Sequence, residues 1–164
     1  MKKLYLVGGT MGVGKTTVCQ RLKKKLANAV FLDGDWCWDA DPFTVTEETK
    51  RMVIENIVFL LDNFLRVSAY ENVVFGWVMH QQSIIDSILD RLNTNNTAVF
   101  CISLTADKDA LAERLYKDIA RGIRTEDIVR RSTERLPLYS ALNTVKIDTS
   151  GKTPDEIADE IMNL

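Results

Sequence analysis

The chain has 164 residues, of which 46% are apolar and 27% charged, so we expect one globular domain with a buried core. The formal net charge of −2 argues against a general nucleic-acid binder or membrane-surface binder. The three cysteines are scattered along the chain, so we predict neither disulfides nor a zinc site. No apolar run approaches about 18 residues and no signal segment is found, so we expect a cytoplasmic protein.

A glycine loop follows the first predicted strand, residues 4–7, and opens the first predicted helix. Residues 9–16, GTMGVGKT, match G-x-x-x-x-G-K-S/T in the strand–loop–helix context that the motif requires. Glycine backbone N–H groups and a helix N-terminus form a cradle for phosphates, while the lysine contacts the β- and γ-phosphates and the threonine hydroxyl binds Mg²⁺. We therefore expect ATP and Mg²⁺ as cofactors, held by Gly9, Gly12, Val13, Gly14, Lys15, Thr16 and Thr17.

Two carboxylates follow the second predicted strand, residues 29–32. Asp33 and Asp35, separated by Gly34, come directly after this strand. In an open parallel sheet, residues past the carboxyl ends of the strands line the ligand crevice. A carboxylate there can accept the proton of a hydroxyl nucleophile, which makes Asp35 a candidate general base. The alternative is a simple turn, since Asp and Gly both favour turns.

The remaining elements continue the alternation of strands and helices to the end of the chain. Thr44 and Glu47 predict a capping box before a long amphipathic helix, Thr125 is the predicted N-cap of a later helix, and Thr153 caps the last one. The pattern predicts a single α/β domain over 1–164 with a parallel sheet covered on both faces. The other predicted strands are residues 73–77, 98–104 and 145–148.

The order of these motifs resembles the nucleoside-monophosphate-kinase-like group of P-loop phosphotransferases. The order runs from the P-loop through Asp-x-Asp to Arg-Gly-x-Arg at 121–124 and Asp-Thr-Ser at 148–150. Within that group, the chain is most similar to kinases of the shikimate kinase, gluconate kinase and chloramphenicol phosphotransferase type. The resemblance implies a P-loop three-layer sandwich with five strands in the order 2-3-1-4-5 and a lid at about 121–140. It also implies that Asp35 contacts the acceptor hydroxyl, while Thr16 and Asp33 serve the metal.

The third strand carries no acidic residue that could act as a Walker B aspartate, which argues against a motor or a switch GTPase. Arg121 and Arg124 flank Gly122 at a helix end, from which a hinge can bring them over the phosphates. Arginine suits that role because its planar donors bind phosphate oxygens in pairs and keep their charge. The alternative is a solvated helix end.

Aromatic residues follow the second and third strands and predict the acceptor pocket. Trp36 and Trp77 are the predicted substrate contacts, although tryptophans at such positions can equally belong to the core. Between residues 30 and 81 the only arginines lie on the long helix, which favours a neutral or weakly polar hydroxyl compound. The other pocket candidates are Trp38, Phe43, Met79 and His80.

Three functions remain open from the sequence. The first is an ATP-dependent kinase that phosphorylates a hydroxyl of a small molecule, with Lys15, Asp35, Arg121 and Arg124 in catalysis. The second is a nucleotide or polynucleotide-end kinase, and the third is a regulatory module that hydrolyses ATP slowly. We expect a small-molecule substrate and neither a nucleic-acid nor a membrane partner, and the sequence does not decide between monomer and homodimer.

Overall fold

A computed structural model describes residues 1–164 and contains one five-stranded sheet. All strands are parallel, in the order β2-β3-β1-β4-β5. This confirms the predicted architecture, in which each strand is followed by a helix that returns the chain to the same edge of the sheet. The strands are β1 (Lys2–Gly9), β2 (Ala29–Asp33), β3 (Asn72–Gly76), β4 (Thr97–Thr105) and β5 (Val145–Asp148).

Six α-helices and two short 3₁₀ helices connect and cover the strands. One 3₁₀ helix directly follows β2 and spans Gly34–Cys37, and the other, Leu136–Ala141, precedes β5. The α-helices are α1 (Lys15–Lys25), α2 (Glu47–Arg66), α3 (Gln82–Leu89), α4 (Lys108–Ala120), α5 (Asp127–Arg135) and α6 (Pro154–Met162).

Two of the predicted helix caps are wrong. The side chain of Thr46, not Thr44, caps α2, and it does so reciprocally with Thr49. The Thr49 hydroxyl also donates to the carbonyl of Thr44, so Thr44 lies outside the helix. Helix α5 is preceded by Glu126, which makes no side-chain cap, while the Thr125 hydroxyl bonds to Asp127. The cap at Thr153 is confirmed.

The core lies on both faces of the sheet, and alternate residues of β1 point to opposite faces, as the twofold side-chain period of a strand requires. Tyr5 and Val7 pack with helices α1, α4 and α6. Leu4 and Leu6 pack with α2 and α3. All four side chains are buried, so the central strand fixes the position of the loop that follows it.

Helix α1, which begins in the glycine loop, is held in place by the last helix. Buried residues of α6 pack in the same core as α1, and two carboxylates of α6 pair with basic residues of α1. The Lys25 ammonium lies 2.6 Å from the Asp159 carboxylate, and the Arg21 guanidinium lies 3.7 Å from Asp155. None of the helices combines the length and the apolar character that a membrane crossing demands.

Candidate active site

The glycines of the loop between β1 and α1 serve different purposes. A Cβ at Gly9 would come within 3.0 Å of the Leu104 carbonyl oxygen, and one at Gly12 within 2.4 Å of Leu115 Cδ2. These two glycines therefore let the loop pack against β4 and α4. Gly14 has a φ of +103° and no neighbour within 4 Å of an added Cβ, so open space adjoins the loop at the start of α1.

Lys15 places a half-buried cation inside this loop. Its ammonium donates to the carbonyl oxygen of Thr10 over 3.0 Å, which folds the side chain back across the loop. Burial lowers the pKa of Lys15 to about 8, although the nearby carboxylates Asp35 and Asp33 act in the opposite direction. A cation that burial destabilises gains from an anion placed beside it, so the loop fits the phosphates of a nucleotide.

Thr16 and Asp33 bring a hydroxyl and a carboxylate together next to the loop. The Thr16 hydroxyl donates to Asp33 Oδ2 over 2.8 Å, and the other carboxylate oxygen accepts the backbone N–H of Asp35 over 3.1 Å. Asp33 is only 8% exposed, so these bonds fix its orientation. Mg²⁺ prefers such oxygen ligands and is commonly bound through one or two protein groups plus substrate phosphates. The donor set therefore fits the predicted Mg²⁺.

Asp35 lies in the first turn of the 3₁₀ helix after β2. Partial burial raises the pKa of its carboxyl, and the negative charge of Asp33 adds to the effect, whereas Lys15 and a hydrogen bond from Trp77 lower it. The Trp77 ring lies against Gly34, where an added Cβ would come within 2.4 Å of it. The structure thus brings Lys15, Asp33, Asp35 and Trp77 together, which the sequence predicted only from strand order.

The two predicted lid arginines occupy different surroundings. Arg124 pairs with Asp118 through its Nε at 3.2 Å, and its charge acts on both Lys15 and Asp35, so it lies on the side of the loop. The Arg121 side chain is exposed at the end of α4 and makes no hydrogen bond or ion pair. Arg124 is therefore the one placed near the site, while a role for Arg121 stays a prediction.

One member of the predicted aromatic pocket, Met79, is wrong, while substrate contacts by Trp36 and Trp77 stay predictions. Met79 is 1% exposed and belongs to the core on the α2 side. His80 and Trp77 do not line the cavity that contains Trp36 and Trp38. Met79 turns towards the core and Trp77 towards Asp35, whereas residues past β2 form a cavity with the start of α2. Trp36 remains 60% exposed and packs edge-on against Phe31.

Sequence reasoning missed the contact that holds the glycine loop from the other side. The buried Thr10 hydroxyl donates to the Ser132 carbonyl oxygen over 2.9 Å, and the Ser132 hydroxyl donates to the Met11 carbonyl oxygen over 2.5 Å. Ser132 is a small polar residue inside a charged helix, and no sequence pattern marks it. Helix α5 is thereby fastened to the loop.

Arg114 of α4 makes a second link across the site. Its guanidinium donates to the Val13 carbonyl oxygen over 3.3 Å and to both the hydroxyl and the carbonyl oxygen of Thr149 over 3.1 Å. Its observed contacts join the glycine loop to the segment after β5.

Comparison with known proteins gives a family match and relatives of similar length. The family model described as an AAA domain matches residues 6–134. A putative adenylate kinase of Thermococcus kodakarensis is 30% identical, with 98% of this chain and 84% of that protein covered. A shikimate kinase of Bacillus cytotoxicus is 28% identical, with 99% of this chain and 97% of that protein covered.

Among solved structures, the tunicamycin resistance protein of Deinococcus radiodurans superposes with a TM-score of 0.77. The two chains share 19% identity, and the superposition covers 99% of this chain and 95% of the other. At this identity the likeness concerns the fold, and it matches the sheet order that the resemblance to P-loop kinases implied.

Proposed function

Because the chain belongs to the AAA domain family and has the fold of the P-loop kinases, we propose that it transfers the γ-phosphoryl group of ATP to a small-molecule hydroxyl. In this proposal Asp35 is the general base, Lys15 and Arg124 contact the phosphates, and Thr16 and Asp33 serve Mg²⁺. The observation that carries it is the cluster of Lys15, Thr16, Asp33 and Asp35 at the carboxyl ends of β1 and β2.

The first step is to bind and orient the triphosphate. The loop N–H groups and the N-terminus of α1 receive phosphate oxygens, and the Lys15 ammonium pairs with the terminal phosphates. Mg²⁺, when bound, neutralises charge on the phosphate oxygens and helps to align them. The Thr16 hydroxyl is already held by Asp33 at 2.8 Å, so little rearrangement is needed to present it to the metal.

The second step is to remove the proton of the acceptor hydroxyl. A carboxylate with a raised pKa is a stronger base, and both partial burial and the neighbouring charge of Asp33 raise the pKa of Asp35. Although its carboxyl is partly desolvated, residue Asp35 keeps enough exposed surface for an acceptor to reach it. As the hydroxyl oxygen bonds to the γ-phosphorus, its proton passes to Asp35 and the bond from phosphorus to the β,γ-bridging oxygen breaks.

Replacement of Asp35 tests this assignment. We expect Asp35→Asn to lower kcat by about 10²- to 10⁴-fold, because the amide cannot accept the proton, and to leave ATP affinity nearly unchanged. The measurement is transfer of radiolabelled γ-phosphate to hydroxylated metabolites, nucleosides and antibiotics, with ATP binding followed in parallel. Asp90→Asn removes an exposed carboxylate outside the site and serves as the matched control, and Lys15→Ala serves as the blank. Unchanged transfer by the Asp35 variant contradicts the role.

A second candidate is phosphorylation of a nucleotide, which the name of the Thermococcus kodakarensis relative favours. Such an acceptor brings its own phosphate and calls for basic contacts after β2. The arginines available there, Arg51 and Arg66, are both exposed on α2, and Arg66 pairs with Asp62 at 3.0 Å. Faster transfer to AMP than to any acceptor without phosphate would establish this alternative.

A further inference from the structure

A cavity of about 510 Å³ opens between the segment that follows β2 and the first turns of α2. Its wall begins at Trp36, one residue after Asp35, and includes Trp38 and Asp39, while Met52 and Asn56 of α2 line the other side. Ligand pockets for small molecules commonly have volumes of about 300 to 1,000 Å³. The cavity can therefore hold a compound of the size of a sugar or a larger metabolite.

The wall of this cavity is tied to Asp35 and to α2. The backbone N–H of Trp38 donates to the carbonyl oxygen of Asp35 over 3.3 Å, and the Asn56 amide donates to the carbonyl oxygen of Cys37 over 3.1 Å. Movement of the aromatic wall relative to the candidate base is therefore restricted. The wall that an acceptor would contact is thus linked through the backbone to the residue that carries the candidate base.

The surface of the cavity combines aromatic rings with a carboxylate. The Trp38 ring packs against Phe43 with centroids 4.4 Å apart, and Trp36 presents a ring that is 60% exposed. Asp39 adds a negative charge to the same lining, which contains no Lys, Arg or His. Aromatic faces and carboxylates both attract cations, tryptophan most strongly among the rings.

The chain segment around the cavity is also rich in negative charge. Residues 26–49 contain six acidic residues and no lysine, arginine or histidine, although the whole chain has a net charge of only −2. Lys50 and Arg51 follow directly, and the Lys50 ammonium is paired with Glu47 at 2.8 Å, so the acidic residues remain in excess. An acceptor with a phosphate or carboxylate group would be repelled here, and one with a protonated amine would be attracted. The six are Asp33, Asp35, Asp39, Asp41, Glu47 and Glu48.

We propose that the phosphoryl acceptor carries a cationic amine as well as the reacting hydroxyl, and that this cavity binds the amine. The inference rests on the proposed kinase function and names its substrate class, a hydroxylated amine. The ammonium lies against Trp36 and Trp38 and is paired by Asp39, while the hydroxyl points to Asp35. Shikimate and AMP, which are anions, are poor acceptors on this reasoning.

Matched acceptors test the charge requirement. The probes are glucosamine, kanamycin and choline, the first two compared with their N-acetylated forms and choline with its uncharged carbon analogue 3,3-dimethylbutanol, with AMP and shikimate as anionic probes. We expect the cationic member of the phosphorylated pair to have a kcat/KM about ten-fold or more above its uncharged partner, as loss of a cation–π contact and an ion pair implies.

Two variants locate the effect in the cavity. Asp39→Asn and Trp38→Leu should each raise KM for the amine acceptor by about five- to ten-fold and leave kcat largely unchanged, because neither group contacts the reacting atoms. Glu55→Gln removes a carboxylate from the exposed face of α2, outside the lining, and is the matched control. Unchanged KM for both cavity variants overturns the location.

The outcomes separate the inference from the function on which it rests. If an uncharged partner, AMP or shikimate is the better acceptor, the amine inference is overturned while phosphoryl transfer stands. If no probe accepts phosphate although ATP binds, the proposed function fails and the inference fails with it. If a cationic probe is preferred but Asp39→Asn loses kcat rather than affinity, the cavity does not bind the amine.

Discussion

Replacement of Gly12 by alanine separates the packing role of the glycine loop from its backbone geometry. Gly12 has a φ of +82°, where an alanine costs about 1 to 2 kcal/mol. The new Cβ would also lie 2.4 Å from Leu115 Cδ2 and 2.9 Å from its Cγ, so a buried side chain of α4 must move. Overpacking of this kind costs about 1 to 3 kcal/mol. We therefore expect Gly12→Ala to lower the free energy of unfolding by about 2 to 5 kcal/mol.

Gly122 supplies the matched control because it has a similar φ, +71°, and no neighbour within 4 Å of an added Cβ. Gly122→Ala should therefore cost only the backbone part, about 1 to 2 kcal/mol. The measurement is urea unfolding followed by circular dichroism, with equal slopes for all three proteins. Equal losses of stability for the two variants would refute the reasoning, since the Leu115 contact would then contribute nothing.

The other predictions concern the site itself. ATP binding should require protonated Lys15, whose pKa burial lowers to about 8, so affinity is full below that pH and falls about ten-fold between pH 7 and pH 9. Calorimetric titration checks this, and Lys15→Arg should give a flat pH profile because arginine keeps its charge. Asp33→Asn should raise the Mg²⁺ concentration for half-maximal ATP binding by about ten-fold or more, because the Thr16 hydroxyl and the metal waters lose a charged acceptor. A Mg²⁺ dependence equal to that of the unmodified protein would contradict the role of Asp33.

The sheet could be predicted from the sequence because each strand is marked by residues that are neighbours in the chain. Short apolar runs such as residues 29–32, separated by amphipathic helices, leave few topologies open to parallel strands. Helix starts were less certain because threonine is repeated. Thr44 and Glu47 match the usual capping pattern, which has Glu or Gln at its last position, whereas the observed pair is Thr46 and Thr49, so the pattern alone selects the wrong threonine.

The site could be predicted only in part, for a similar reason. The glycine loop and Asp33 follow strands directly, so their place at the sheet edge follows from the order of elements. The direction of a side chain beyond a strand depends on the loop conformation. Met79 has a φ of +29° and turns into the core, so it could not be distinguished from a pocket residue by sequence.

The hydrogen bonds between Ser132 and the glycine loop have a consequence for the order in which the protein folds. The motif lies within the first sixteen residues, but the Thr10–Ser132 contact spans 122 positions of the chain, and Arg114 joins Val13 to Thr149. Such long-range contacts form late, because they require most of the intervening chain. During synthesis, a growing chain that has already displayed the whole motif still lacks these contacts until its last third has emerged from the ribosome.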